Sequence, residues 1–310
     1  MKRLLSPALL LLASMLWGFA FVAQSGASAV PPFTLGAARS ILAGIFLILL
    51  IPVLDVSMKT GRRLVSRKGI DVNRHELIGG AICGVVLAVA SFFQQLGINS
   101  GTDGGKAAFI TALYVVLVPI YALALKRRAP LNVWLAVAIS VLGFYLLCIK
   151  SDLSIAPSDA ICLICSLIFP IHILAIDYFS PRCDGVRMSA VQFITAALFN
   201  SIMALIFEQP ISVGIESITE AILPVLYLGI ISSGAAYTLQ IIGQRGVDPA
   251  AASIILSLES VFGVIGTAVV FGTVMTPREY AGSAIVLLAV ILSQLDLKGL
   301  WKKTKLKKTE

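Results

Sequence analysis

Apolar residues follow one another in long runs along this chain, and short polar or charged segments separate the runs. Ten runs reach about 20 residues, the length that crosses a bilayer as an α-helix. They cover residues 5–25, 33–54, 77–97, 104–125, 131–149, 158–177, 188–207, 220–241, 249–272 and 279–297. The pattern therefore predicts an all-α integral membrane protein with ten transmembrane helices.

The composition supports this prediction. Of 310 residues, 58% are hydrophobic and 13% are charged, with a mean hydropathy of +0.96. Soluble domains average about 45–50% apolar and about 25% charged residues. The longest connection between runs, roughly 55–76, is too short for a soluble domain. Whatever the protein does, we expect it to act within or across the membrane.

The positive charges are distributed unevenly. In a ten-span arrangement, 20 of the 24 Lys and Arg residues fall on one side of the membrane. The positive-inside rule then places both termini in the cytoplasm and favours the cell membrane. The net charge of +8 therefore does not indicate a nucleic-acid partner. We expect an uncleaved first span, and a basic tail, residues 299–310, that lies against anionic headgroups.

The chain also contains an internal repeat. Shifting the sequence by 145 residues aligns 84–125 with 229–270 without a gap and gives ten identities. Weaker matches at shifts of about 152 pair the earlier segments, so we predict a first repeat over 1–150 and a second over 151–298. Because each repeat has five spans, the two enter the bilayer from opposite sides. Such inverted repeats are typical of secondary transporters, whose site lies near the midplane.

Four segments resemble the EamA family of the drug/metabolite transporter superfamily. They are "ASMLWGFAFVAQ" (13–24), "LGAARSILAGI" with Arg39, "LSLESVFG" with Glu259, and "TPREYAGSAIVLLAVILSQ". This resemblance covers almost the whole chain. It implies ten helices in two EamA repeats and the movement of metabolites across the plasma membrane.

Glu259 is the first candidate site residue. It lies ten residues after Pro249, about 15 Å into a core about 30 Å thick. A charge at the bilayer centre costs at least about 2.5–3.5 kcal/mol. Glu259 could carry a coupling proton or contact a substrate amine; the alternative is a neutral side chain held by a neighbouring helix. Tyr114 is the equivalent residue of the first repeat. It could line the path or donate a hydrogen bond, or serve only in packing.

Arg39 and His172 are further candidates inside predicted spans. Arg39 could pair with Glu259, attract a substrate carboxylate, or extend its charge towards the interface. His172 lies near Asp177 in the sequence. It could relay protons or be a hydrogen-bonded structural residue.

Other polar and aromatic residues complete the set of candidates. Gln95 and Gln240 occupy matching positions on the small-residue faces of spans three and eight, where glutamine can bond across helices. Trp17 could line an aromatic cavity or contact lipid. Asp103 and Asp248 precede apolar runs, so we predict that both are helix N-caps.

Enzyme, nucleotide and metal motifs are missing from the sequence, and no cofactor is expected. Cys162 and Cys165 form a C-x-x-C inside a predicted span, where buried side chains are the better interpretation.

We predict a secondary carrier that exports a small metabolite such as an amino acid; proton coupling and facilitated diffusion both fit. A membrane enzyme or flippase acting on a lipid-linked substrate, and a sensor or assembly component, are the alternatives. The oligomeric state is left open.

Overall fold

The computed structural model of the chain describes residues 2–57, 71–148, 156–209, 211–272 and 274–295. These ranges form helices joined by short loops and contain no β-strand, so the all-α prediction is confirmed. The described α-helices are α1 (Lys2–Gly26), α2 (Pro32–Ser57), α3 (Arg74–Asn99), α4 (Gly104–Ala112), α5 (Tyr114–Ala124), α6 (Leu131–Cys148), α7 (Pro157–Phe179), α8 (Gly185–Phe207), α9 (Ile211–Glu220), α10 (Ile222–Leu226), α11 (Tyr237–Gln244), α12 (Pro249–Leu256), α13 (Glu259–Phe271) and α14 (Pro277–Gln294). A π-helix, Tyr227–Ala236, joins α10 to α11. The predicted basic tail lies outside the described residues.

Within the described residues, eight helical segments are long and apolar enough to cross a membrane. They coincide with eight of the ten predicted spans, and the chain is a multi-pass membrane protein. The other two predicted spans correspond to α6 and α14, which are shorter or less apolar. These two helices pack together: Asn132 Nδ2 donates to the carbonyl oxygens of Leu292 (3.3 Å) and Leu295 (3.1 Å). The count of ten spans stays a prediction.

The first and second halves of the chain are packed into each other. Helix α3 lies against α7 and α8, α2 lies against α8, and α1 lies against α13. Glycines allow the closest approaches. A Cβ on Gly84 would lie 2.4 Å from the Gln192 carbonyl oxygen, and one on Gly18 would lie 2.3 Å from Phe262 Cβ. These interfaces therefore depend on small residues that let two helix backbones meet.

Two predicted spans are each broken in the middle, and both breaks differ from the single helices that we predicted. Helix α4 ends and α5 begins at Leu113, while α12 and α13 are separated by Ser257 and Leu258. At each break a tighter, 3₁₀-type bond replaces the α-helical one: Leu113 N donates to Ile110 O and Leu258 N to Ile255 O, both at 3.2 Å. Leu113 and Leu258 are equivalent under the 145-residue shift.

Neither break contains proline or glycine, so residue types did not reveal them. At the second break, Ser257 Oγ donates to the Ile254 carbonyl oxygen at 2.7 Å. Such side-chain bonding to the preceding turn bends helices. The first break has no equivalent hydroxyl, because Ala112 occupies that position.

Both predicted N-caps are confirmed. Asp103 Oδ1 accepts from Gly105 N at 2.9 Å, and Asp248 Oδ1 accepts from Ala250 N at 3.0 Å. Each carboxylate satisfies a backbone donor that the first turn of a helix leaves free. The caps fix where α4 and α12 begin, and thereby the depth of the breaks that follow.

We expect Gly84→Ala to destabilise the protein because the new methyl group meets backbone. The matched control is Gly44→Ala, where a Cβ meets only Ile194 Cγ1 at 3.7 Å. Both substitutions gain about 1 kcal/mol of helix propensity, whereas overpacking costs about 1–3 kcal/mol. The apparent melting temperature in detergent should therefore be several degrees lower for Gly84→Ala than for Gly44→Ala. Equal melting temperatures would contradict the tight α3–α8 contact.

Candidate functional site

A buried cavity lies between the two halves of the chain. Counting all the space between its lining atoms, including space open to solvent, it measures about 480 Å³. Six of the seven predicted site residues line it: Trp17, Arg39, Tyr114, His172, Gln240 and Glu259. The fold thus brings together side chains that are up to 242 residues apart in the sequence.

Glu259 and Tyr114 follow the two helix breaks directly. Glu259 is the first residue of α13 and Tyr114 the first of α5. Their side chains lie against each other in the cavity wall, and both residues are buried, with Glu259 5% exposed. Neither Glu259 Oε1 nor the Tyr114 hydroxyl has a hydrogen-bond partner of ordinary geometry among the described residues. The breaks therefore hold an acid and a phenol at one point of the cavity.

Arg39 lies on the side of the cavity formed by the π-helix. Its Nε donates to Ser233 Oγ at 2.9 Å and its Nη2 to Ser232 Oγ at 3.2 Å. Of the alternatives, pairing with Glu259 is not seen: the described residues contain no ion pair between these two side chains. Extension to the interface is not seen either, since Arg39 is 8% exposed and lines the cavity. The guanidinium remains beside the cavity, held by two hydroxyl groups.

The π-helix explains how these serines reach Arg39. A π-helix is wound with i→i+5 bonds and is frequent at functional sites. Its backbone also takes part, because Trp17 Nε1 donates to the Ser232 carbonyl oxygen at 3.1 Å. The equivalent segment of the first half lies within α3 and is regular α-helix. The two halves thus differ beside the cavity, although their sequences align there.

Aromatic rings form another part of the wall. Tyr237 packs against Trp17, with ring centroids 4.5 Å apart, and against His172 at 5.7 Å. His172 Nε2 lies 3.2 Å from Gln192 Oε1. Asp177, the relay partner considered for His172, instead pairs with Arg127. The contacts of His172 are those of a hydrogen-bonded histidine in a cavity wall.

Gln95 lies beside the cavity and does not line it. Its Nε2 donates to Asn99 Oδ1 at 2.7 Å and to the Gln24 carbonyl oxygen at 3.3 Å. The neighbouring Gln94 lines the cavity and donates to Thr111 Oγ1 at 3.0 Å. Adjacent residues point about 100° apart on a helix, so Gln94 faces the cavity while Gln95 is directed to one side of it.

Sequence reasoning missed several residues of the lining, including Gln24, Gln94, Thr111 and Ser232. One signal could have found Gln24 and Gln94, since each is a glutamine inside an apolar run. In hydrocarbon, such amides are expected to face the protein interior. Ser232 and Thr111 carried no comparable signal, because serine and threonine are common throughout transmembrane helices.

The cavity contains polar atoms that the protein itself does not satisfy. Gln24 Oε1, Gln240 Oε1, Glu259 Oε1 and the Tyr114 hydroxyl are buried and have no hydrogen-bond partner of ordinary geometry among the described residues, although Glu259 and Tyr114 lie against each other. Buried polar groups of native proteins are nearly always bonded to protein, water or ligand. These four atoms therefore indicate that the cavity is suited to a polar ligand. Within the described ranges, no group of His, Cys, Asp or Glu has the arrangement of a metal site.

Comparisons with known proteins bear on the family and the fold. Residues 5–149 and 157–295 match the sequence signature of the EamA-like transporter family. The chain is 29% identical over 300 residues to a protein of Archaeoglobus fulgidus named "Uncharacterized transporter", covering 95% of this chain and 87% of that protein. It also resembles a solved structure titled "Crystal structure of protein", with a TM-score of 0.73, 18% identity, and coverage of 95% of this chain and 98% of the other. The last comparison shows the fold alone.

The register of α3 can be checked by cysteine labelling. In a variant whose five native cysteines are replaced, we expect Gln94→Cys to react with a small membrane-permeant thiol reagent. Gln95→Cys is the matched control, and it should react more slowly because its side chain packs between α3 and neighbouring backbone. Mass spectrometry of the labelled protein gives both rates. Faster labelling of Gln95→Cys would contradict this orientation of α3.

Proposed function

Because the chain belongs to the EamA-like transporter family, we propose that it is a secondary transporter that exports small organic metabolites such as amino acids. The observation that carries this proposal is the buried cavity between the two halves, with its unpartnered polar atoms. A metabolite with ammonium, carboxylate or hydroxyl groups would satisfy those atoms. A cavity that bound nothing would leave their desolvation uncompensated.

The positions of Glu259 and Arg39 support a zwitterionic or otherwise polar substrate. Glu259 is the acidic residue of the cavity lining and has no cationic partner among the described residues. Arg39 carries the positive charge, and two serine hydroxyls hold its guanidinium in place. We propose that Glu259 binds a substrate amine or a coupling proton, and that Arg39 attracts a carboxylate. Trp17, Tyr114, His172 and Gln240 would shape the cavity around the substrate.

Contacts between the halves at one end of the bundle fit an alternating-access mechanism. At the end where α2, α4 and α7 begin, here called the α4 face, Lys106 Nζ lies 2.5 Å from Asp159 Oδ2. At the same face, the Glu208 carboxylate accepts from Phe33 N and Thr34 N, both at 2.7 Å. Each contact joins a residue of the first half to one of the second. We propose that they separate when the cavity opens to this face.

The opposite end, here called the α3 face, has its own contacts between the halves. Glu76 Oε1 accepts from Asp184 N at 2.8 Å, and Arg127 pairs with Asp177. If one repeat, 1–150, rocks against the other, 151–298, contacts at the two faces would break in turn. We further propose ten transmembrane helices, with α6 and α14 as the fifth and tenth, in the plasma membrane. Both termini would lie in the cytoplasm, which makes the α3 face the cytoplasmic one.

A membrane enzyme acting on a lipid-linked substrate is disfavoured by the same geometry. Such an enzyme needs polar groups at the membrane interface, whereas Glu259, Arg39 and His172 converge on a cavity inside the bundle.

Transport can be tested directly in liposomes. We expect the purified protein to give saturable uptake of at least one compound from a panel of labelled amino acids, amines and organic acids. Uptake is measured with and without a pH gradient, which separates proton coupling from facilitated diffusion. Liposomes without protein are the control. The absence of flux for the whole panel, with protein shown to be inserted and folded, would contradict the carrier hypothesis.

The role of Glu259 is tested by Glu259→Gln, which keeps the shape of the side chain and removes its charge. Loss of a hydrogen bond to a charged group costs about 1.5–3 kcal/mol, so uptake should fall at least about tenfold and lose its pH dependence. Glu279→Gln is the control, because Glu279 caps α14 at the surface through Thr276. Unchanged rates and an unchanged pH profile in Glu259→Gln would exclude this residue from the mechanism.

A further inference from the structure

A second cavity lies at the α4 face, next to the central one. It measures about 490 Å³, including space open to solvent, and is lined by residues of α1, α4 and α13. Asp103, at the start of α4, and Phe271, which is 63% exposed at the end of α13, place it at the surface. We call it the vestibule. Three of its nine lining residues are glycines, Gly104, Gly105 and Gly263, so backbone forms much of its wall.

Phe21 is the one described residue that lines both the vestibule and the central cavity. The residue is 4% exposed and belongs to an apolar cluster that includes Ala107 and Ala108 of α4. On the α13 side, a Cβ on Gly263 would lie 4.0 Å from Phe21 Cδ2. The ring therefore lies between α4 and α13, in a cluster that also contains Ile98, Ile110 and Cys162. Gly263 and the two alanines are the small residues on either side of it.

The helices beside Phe21 are those that are broken in the middle. Helix α4 ends at the break at Leu113, and α13 begins directly after Leu258. A tight turn within a helix is a place where its two parts can change their relative direction. Movement of α4 and α13 about these breaks would widen the space around the ring. The rest of each span, α5 and α12, can then stay packed in the core.

From this geometry we propose that Phe21 is the gate residue of the transport route at the α4 face. Its ring closes the passage between the central cavity and the vestibule, and the substrate passes when the ring turns aside. Asp103 is the one charged residue in the vestibule lining, so we expect the route to select by size more than by charge. This proposal rests on the proposed function, because it assumes a substrate in the central cavity.

The test measures access to the central cavity and does not require transport. In the cysteine-free background, Gln94→Cys reports on the cavity and Thr267→Cys reports on the vestibule. Each is labelled with a membrane-impermeant thiol reagent in sealed vesicles of either orientation. The side from which Thr267→Cys reacts identifies the α4 face. Labelling of Gln94→Cys from that side is then compared between variants of Phe21.

We expect Phe21→Ala to speed labelling of Gln94→Cys from the α4 face, and Phe21→Leu to have a smaller effect. If the gate is open for about 1–10% of the time in the native protein, removing the ring should raise the rate at least about tenfold. Labelling from the α3 face should not change. Phe92→Ala is the matched control: its ring stacks on Phe33 at 4.0 Å and lines neither cavity.

An unchanged rate in Phe21→Ala and Phe21→Leu, with Thr267→Cys still reactive, would overturn the proposal. An equal increase in Phe92→Ala would overturn it as well, since general loosening would then be the cause. If Phe21→Ala does not purify as a monodisperse protein, the more conservative leucine variant decides. The outcome is separable from the proposed function: faster labelling without flux of any compound would retain the gate and reject the carrier.

Discussion

Hydrocarbon forms no hydrogen bonds, and this constraint organises the whole molecule. Large apolar side chains such as Leu49 and Leu223 are exposed on the outside, while Arg39, Glu259 and many serines and glutamines are buried. This is the reverse of a soluble protein, because burial here removes polar groups from lipid. The polar residues of separate helices can be accommodated only where they meet. The central cavity is that meeting place, and the halves pack tightly around it.

The same constraint shapes the two helix breaks. A chain that unwinds in lipid exposes backbone N–H and C=O groups, each at a cost of several kcal/mol. At Leu113 and Leu258 the regular winding is interrupted without that cost, because an i→i+3 bond replaces the i→i+4 bond. Tyr114 and Glu259 follow these interruptions directly, and both line the cavity. They also leave α4 and α13 as short segments on either side of Phe21. One local change in hydrogen bonding thus supports the site, and it connects the site to the proposed route.

Much of the fold and part of the site followed from the sequence. Runs of apolar residues located the helices, and Asp103 and Asp248 located two of their starts. Its position as the lone acid of an apolar run pointed to Glu259, the internal repeat then pointed to Tyr114, and both line the cavity. The repeat singled out Gln95, whereas the adjacent Gln94 is the one in the cavity lining. In a helix that is apolar all round, neighbouring positions carry no hydrophobic signal that separates the inner from the outer face.

The sequence by itself determined the membrane environment, the helices, their caps and the family, because these depend on composition, local hydrogen bonding and matching motifs. Only the tertiary structure decided which polar side chains meet. Arg39 contacts Ser232 and Ser233 because a π-helix turns both hydroxyls towards α2. No pattern of residues in the sequence predicts this π-helix. The position of Phe21 between two cavities is likewise a property of packing. It requires three helices to converge, and their relative placement depends on contacts between residues far apart in the chain.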